Sequence, residues 1–136
     1  MTVRSGWRES VEIDGVSHKA PIPMGARVGN MFFSSGIMGT DPATGKLADG
    51  AAAQARWAFR NMDALVQAAG GSLEDVGRLT VYVTDNEMRE HVNREWLERF
   101  PDPHSRPARH TVVKDLAAGM LVQLEVIAVL KIQGAS

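Results

Sequence analysis

The stretch VQLEVIAVL, residues 122–130, decides the fold class. Successive side chains of a β-strand point to opposite faces of the sheet, so the stretch divides into two sets of alternating residues. One face is uniformly apolar and should pack against helices; it comprises Val122, Leu124, Val126, Ala128 and Leu130. The other face mixes polar with large apolar residues: Gln123, Glu125, Ile127 and Val129. Such a mixed face is typical of a subunit interface or a cleft rather than of a surface open to solvent.

The segment before it, RPARHTVV at residues 106–113, predicts another strand over 109–114. The same period puts Arg109, Thr111 and Val113 on one face and leaves His110 facing away from Arg109, towards the helices. If this strand is the neighbour of the last one, Arg109 and Thr111 share a face with the polar residues of the last strand and form a polar site with them. From the residues alone two interpretations of Arg109 remain open: it pairs with a neighbouring acid for structural reasons, or it binds an anionic ligand.

The remainder of the chain alternates strand and helix signals. We expect strands at 7–13, at 27–35 with a tight turn at Gly29-Asn30 inside it, at 76–84 and at 121–131. Residues 39–50 are rich in Gly, Pro and Asp and predict a loop with a short extended piece near Lys46. Helical spacing begins at Ala51 and stops at Gly70-Gly71, and a second helix, capped by Asp85, should run to about Phe100. The order β-β-α-β-α-β-β predicts an α+β fold in which both helices pack on one face of a mixed sheet.

Composition limits the class of function. The length of 136 residues predicts a single domain, 1–136. The net charge of −1, from 15 basic and 16 acidic residues, provides no general attraction for nucleic acid or an anionic membrane. The chain has no cysteine, and its four histidines lack the spacing of metal ligands. We therefore expect a cytoplasmic protein that uses no metal or other cofactor and binds neither nucleic acid nor a membrane.

Several stretches, taken in order, resemble the RidA/YjgF family, whose members are also called L-PSP endoribonucleases. They are VGNMFFSSG at 28–36, DPATGK at 41–46, NMDALVQAAGGSLEDV at 61–76, VN at 92–93, RPAR at 106–109 and LEVIAV at 124–129. The resemblance extends from about His18 to Leu130. It implies a chorismate-mutase-like fold and a homotrimer with clefts between subunits. In the deaminases of the family the arginine of the PAR motif binds the substrate carboxylate, which implies this role for Arg109; a guanidinium offers a carboxylate the bidentate fork that lysine lacks.

The resemblance also implies roles for other residues of the cleft. Asn93 matches a cleft-lining asparagine, although an asparagine inside a helix is more often simply solvated. Gly36 matches backbone close to the ligand, although a glycine after a strand often means only a turn. Thr111 stands where the family often has cysteine or serine, and Ile22, in APIPMG at 20–25, replaces the tyrosine of the family's GPYSQA.

The largest departure concerns the last strand. The resemblance places a water-activating glutamate two positions before a second glutamate; here Gln123 stands at the first position and Glu125 at the second. An amide can orient a water molecule but cannot accept its proton at neutral pH. Gln123 is equally compatible with a plain hydrogen-bonding role in an interface.

Together these residues predict a cofactor-independent hydrolase of imines or enamines that carry a carboxylate, releasing ammonia. Arg109 would bind the carboxylate, and backbone groups near Gly36 and Thr111 would hold the reactive end of the substrate. Gln123 or Glu125 would position the attacking water. We expect a substrate different from that of typical members. The alternative is a non-catalytic trimer that binds small carboxylates as a regulator. A ribonuclease is less favoured, because the chain is nearly neutral and has no acid-base pair of histidines.

Overall fold

The computed structural model describes residues 6–131. Within these residues one mixed sheet of seven strands is covered by two α-helices and accompanied by a small two-stranded hairpin. The strands are β1 (Arg8–Val11), β2 (Gly25–Val28), β3 (Met31–Ser34), β4 (Ile37–Met38), β5 (Thr40–Asp41), β6 (Lys46–Leu47), β7 (Val76–Val83), β8 (Ala108–Val113) and β9 (Val122–Val129). The helices are α1 (Ala51–Ala68) and α2 (Arg89–Arg99). The predicted α+β class with a mixed sheet is confirmed.

Helix α1 ends as its glycines predict. Gly70 has a φ of +96°, and its N–H donates to the carbonyl of Gln67 while that of Gly71 donates to Val66. This pair of bonds is the Schellman closure, which glycine favours because it has no Cβ to oppose the left-handed conformation. The buried face of α1 packs on the sheet through Ala55, Ala58, Phe59, Met62, Leu65 and Val66.

Asp85 caps the second helical segment as predicted, but the first turn is a short 3₁₀ helix, Asn86–Met88, that leads into α2. The Asp85 carboxylate accepts from the Glu87 N–H at 2.7 Å. The C-terminal end of α2 is joined to α1 by Arg99, which pairs with Asp63 at 2.9 Å and with Glu95 at 3.0 Å. The bond to Asp63 joins α2 to α1, whereas the bond to Glu95 lies within α2 and orients the Arg99 guanidinium.

The sheet order is β1-β2-β3-β9-β7-β8, with β4 also paired to β9. The stretch predicted as one strand over 27–35 lies in a hairpin, β2 and β3, whose turn contains Gly29 with a φ of +60°. The loop predicted over 39–50 contains the short hairpin β5–β6. The core lies between the sheet and the two helices, and the apolar face of β9, from Val122 to Ala128, is fully or almost fully buried in it as predicted.

The order also shows that β8 and β9 are not neighbours. Strand β7 lies between them, parallel to β8 and antiparallel to β9, and β8 forms the edge of the sheet. Within residues 6–131 no helix is both long enough and apolar enough to cross a membrane.

Candidate functional site

Arg109 lies on the helix-covered face of the sheet. Across the parallel pair Arg109 is opposite Leu79 and Thr111 is opposite Val81, and both β7 residues are fully buried under the helices. Because residues directly opposite each other share a face, Arg109 and Thr111 face α2. The same register places His110 beside Thr80 on the other face, where it is exposed. The prediction that His110 turns away from Arg109 is correct, but the prediction that it faces the helices is wrong.

The Arg109 guanidinium is held by neutral neighbours. Its Nε donates to Thr111 Oγ1 at 3.0 Å, and its Cζ lies 5.2 Å from the centre of the Trp96 ring on α2. Within residues 6–131 no carboxylate lies within 4 Å of it. Partial burial, and after it the positive charge of Arg89, lowers the pKa of Arg109. The bond to Thr111 uses only Nε, so the two terminal NH₂ groups remain available to a bidentate partner.

Asn93 is exposed and belongs to the same side of α2. Positions 89, 93 and 96 are four and three residues apart, so Arg89, Asn93 and Trp96 form one stripe of the helix. We call Arg89, Asn93, Trp96, Arg109 and Thr111 the arginine cluster.

A second group of polar residues occupies the opposite, outer face of the sheet. Across the β7–β9 pair Gln123 is opposite Tyr82 and Glu125 is opposite Thr80. Interaction of the Tyr82 hydroxyl with the Glu125 carboxylate is the main reason that the pKa of Tyr82 is raised. Tyr82 was not singled out from the sequence. The signal was nevertheless present, because the period of β7 places Tyr82 on the face opposite buried Val81 and Val83.

Gly36 and Gln123 fit against each other. A Cβ on Gly36 would overlap Nε2 of Gln123, so a side chain at position 36 would displace the Gln123 amide. Gln123 also borders a cleft of 460 Å³, which is lined as well by Met38, Lys19 and Lys46. We call Gly36, Tyr82, Gln123 and Glu125 the outer-face cluster.

Ile22 lies on the same side of the sheet, 48% exposed, in a cleft of 390 Å³ that also contains Phe33 and Ser35. The apolar residues of this face are unusually open: Phe33 is 41%, Ile127 37% and Val129 50% exposed.

The structure therefore separates the predicted site residues into two groups. Arg109, Thr111 and Asn93 belong to the arginine cluster, whereas Gly36, Gln123 and Glu125 belong to the outer-face cluster and Ile22 lies on that same side. The expectation that Arg109 and Thr111 share a face with Gln123 and Glu125 is wrong. It assumed that β8 pairs with β9. Strand β7 lies between them instead, and its pairing places Arg109 and Thr111 on the helix-covered face and Gln123 and Glu125 on the outer face. For the same reason Arg109 is not the ion-pair partner of Glu125 within one chain.

Comparison with known proteins agrees with this architecture. The family model described as Endoribonuclease L-PSP matches residues 19–130. A RutC family protein of Aquifex aeolicus is 37% identical over 117 residues, which cover 82% of this chain and 94% of that protein. The 2-iminobutanoate/2-iminopropanoate deaminase of Salmonella typhimurium is 35% identical over 111 residues, 80% of this chain and 87% of the enzyme. The crystal structure of RidA from a Psychrobacter species superposes with a TM-score of 0.82 at 33% identity, covering 90% of this chain and 99% of that one.

Proposed function

Because this chain belongs to the endoribonuclease L-PSP family, which includes RidA, we propose that it is a deaminase that hydrolyses small imines or enamines carrying a carboxylate. The observation that carries the proposal is the state of Arg109. It is a half-buried cation, oriented by Thr111 and Trp96, and no carboxylate of residues 6–131 lies within 4 Å of it. A relative that is 35% identical bears the name of a deaminase of 2-imino acids, which carry the carboxylate that such a cation would bind.

The proposed site lies between two copies of the chain. Arg109 and Glu125 project from opposite faces of one sheet, so a single small substrate reaches both only if they come from different copies. The exposed apolar residues Phe33, Ile127 and Val129 on the outer face supply a surface that another copy could cover. A closed ring of three copies, as the family resemblance implies, would bring the arginine cluster of each copy to the outer-face cluster of the next.

In this site Arg109 would bind the substrate carboxylate through its two NH₂ groups, while backbone close to Gly36 and the Thr111 hydroxyl would border the reactive end. Gln123 would orient a water molecule for attack on the C=N carbon. Glu125, which interacts with the Tyr82 hydroxyl, would accept a proton from that water and return it to the nitrogen. The C–N bond of the resulting amino alcohol would then break as its hydroxyl proton passes to the nitrogen, leaving ammonia and a carbonyl compound.

The alternative is a regulatory trimer that binds small carboxylates without turnover. The observation that favours it is the amide of Gln123, because an amide next to the proposed water cannot act as a base. The nearly neutral charge of the chain does not favour the ribonuclease activity that the family description mentions.

The test is to generate 2-imino acids in situ from amino acids with an amino-acid oxidase and to measure ammonia release with and without the protein. The deaminase proposal predicts accelerated release, and the Glu125→Gln variant should be slower. If ammonia release is not accelerated but the corresponding 2-oxo acids bind saturably, the deaminase proposal is contradicted and the regulatory trimer is supported.

A further inference from the structure

The arginine cluster contains a second guanidinium that the deaminase reaction does not use. Arg89 is the first residue of α2 and is partly buried. It lies on the helix stripe that ends at Trp96, and Trp96 is the residue over which the Arg109 guanidinium lies. Asn93 lies between Arg89 and Trp96 on this stripe, so Arg89, Asn93 and the Arg109 guanidinium all lie along one side of α2.

Arg89 is held in this position without neutralisation. Its Nε donates to Asn86 Oδ1 at 3.0 Å, which leaves both terminal NH₂ groups for other partners. Within the described part of the chain, neither Arg89 nor Arg109 has a carboxylate within 4 Å.

The nearest acidic residues on the same segment do not replace a ligand. Glu87 and Glu90 line the depression that Arg89 and Asn93 also line. Both glutamates are exposed, and neither carboxylate lies within 4 Å of the Arg89 guanidinium. Burial and, after it, the positive charge of Arg89 lower the pKa of Arg109. Two unneutralised cations held together favour an anion that can contact both.

We propose that the arginine cluster binds a dicarboxylate, with one carboxylate on Arg109 and the second on Arg89. Asn93 between them would donate its amide to the ligand. The inference rests on the proposed function in taking Arg109 as the anchor of the first carboxylate, and it narrows the substrate class to 2-imino dicarboxylic acids. Arg89 is thus the residue that determines specificity for the second acidic group.

The experiment is calorimetric titration with two stable 2-oxo acids that differ in the second carboxylate, 2-oxobutanoate and 2-oxoglutarate. The wild-type protein should bind 2-oxoglutarate about tenfold more tightly, the gain expected from one charge-assisted hydrogen bond at a partly exposed site. Arg89→Met should remove this preference and leave the affinity for 2-oxobutanoate within about twofold of wild type. Arg94→Met is the matched control, because Arg94 is exposed on another side of the same helix; it should keep the full preference. Arg89→Lys should retain part of the preference, since it keeps the charge but loses the fork.

Equal affinities of the wild-type protein for the two acids, or failure of both to bind, would overturn the proposal. So would loss of both ligands in a folded Arg89→Met variant, because Arg89 would then support the site rather than select its ligand. The two proposals fail separately. A dicarboxylate preference without imine turnover contradicts only the deaminase, whereas turnover of monocarboxylic imines without that preference contradicts only the role of Arg89.

Discussion

Replacing Arg109 with methionine tests the carboxylate anchor most directly. Methionine is unbranched and long enough to keep covering the Trp96 ring, so the substitution removes the charge and the fork while preserving most of the packing. The variant loses the bond to Thr111 and the cation–π contact, which together should cost about 1–2 kcal/mol of folding free energy at a half-buried position.

The expected loss in binding is larger than the loss in stability. A bidentate carboxylate makes two charge-assisted hydrogen bonds, each worth about 1.5–3 kcal/mol. Because Arg109 is only half-buried, we take the lower end, about 3 kcal/mol for the pair, which corresponds to roughly a 100-fold weaker binding of a 2-oxo monocarboxylate.

The assay is titration of 2-oxobutanoate into wild type, Arg109→Met and the control Arg94→Met, with thermal unfolding and sedimentation of each. Arg94 is exposed on another side of α2, and its replacement should change the affinity less than about twofold. If Arg109→Met binds within about threefold of wild type, the guanidinium does not anchor the ligand. If it unfolds or dissociates but retains its affinity per folded site, Arg109 is structural.

Two further predictions concern the outer face. If the chain is a deaminase slowed by an amide at position 123, Gln123→Glu should accelerate ammonia release by up to about 10²–10⁴-fold, the range for a well-placed acid-base group. If the rate of Gln123→Glu is unchanged and Glu125→Gln loses most of its activity, Glu125 carries out the whole proton transfer. Ile127→Asp places a charge on the exposed apolar face and should convert a trimer into smaller species in sedimentation. Ala64→Asp, at an exposed position of α1 outside both clusters, should not. A wild-type protein that sediments as a stable monomer at micromolar concentration would refute assembly through this face.

Local patterns in the sequence predicted the elements well. The two faces of β9 and the end of α1 at Gly70-Gly71 follow from a period of two and from a left-handed backbone position, and both are properties of a few adjacent residues. The family motifs likewise predicted the fold class, because they are spread over most of the chain.

The face occupied by Arg109 could not be obtained in this way. The alternation within β8 was predicted correctly, but which of its faces meets the helices depends on β7, which pairs with both β8 and β9. This pairing joins residues far apart in the sequence, and no local pattern records it. Tyr82 was missed for a related reason: its importance comes from its contact with Glu125 on another strand.

The separation of Arg109 from Glu125 by the thickness of the sheet leads to a final prediction about assembly. Arg109→Met and Glu125→Gln should each lower imine turnover in a homogeneous protein, because every site then lacks one group. If a site takes its arginine from one copy and its glutamate from the next, denaturing the two variants together and refolding them in equal amounts restores both groups in about one quarter of the sites of randomly assembled rings. Turnover should therefore rise to about a quarter of the wild-type value, above the sum of the separately refolded variants. If one chain supplied both groups, every site in the mixture would still carry one defect. A mixture that is no more active than its components would therefore refute a site shared between copies, provided that mass measurement verifies the mixed assemblies.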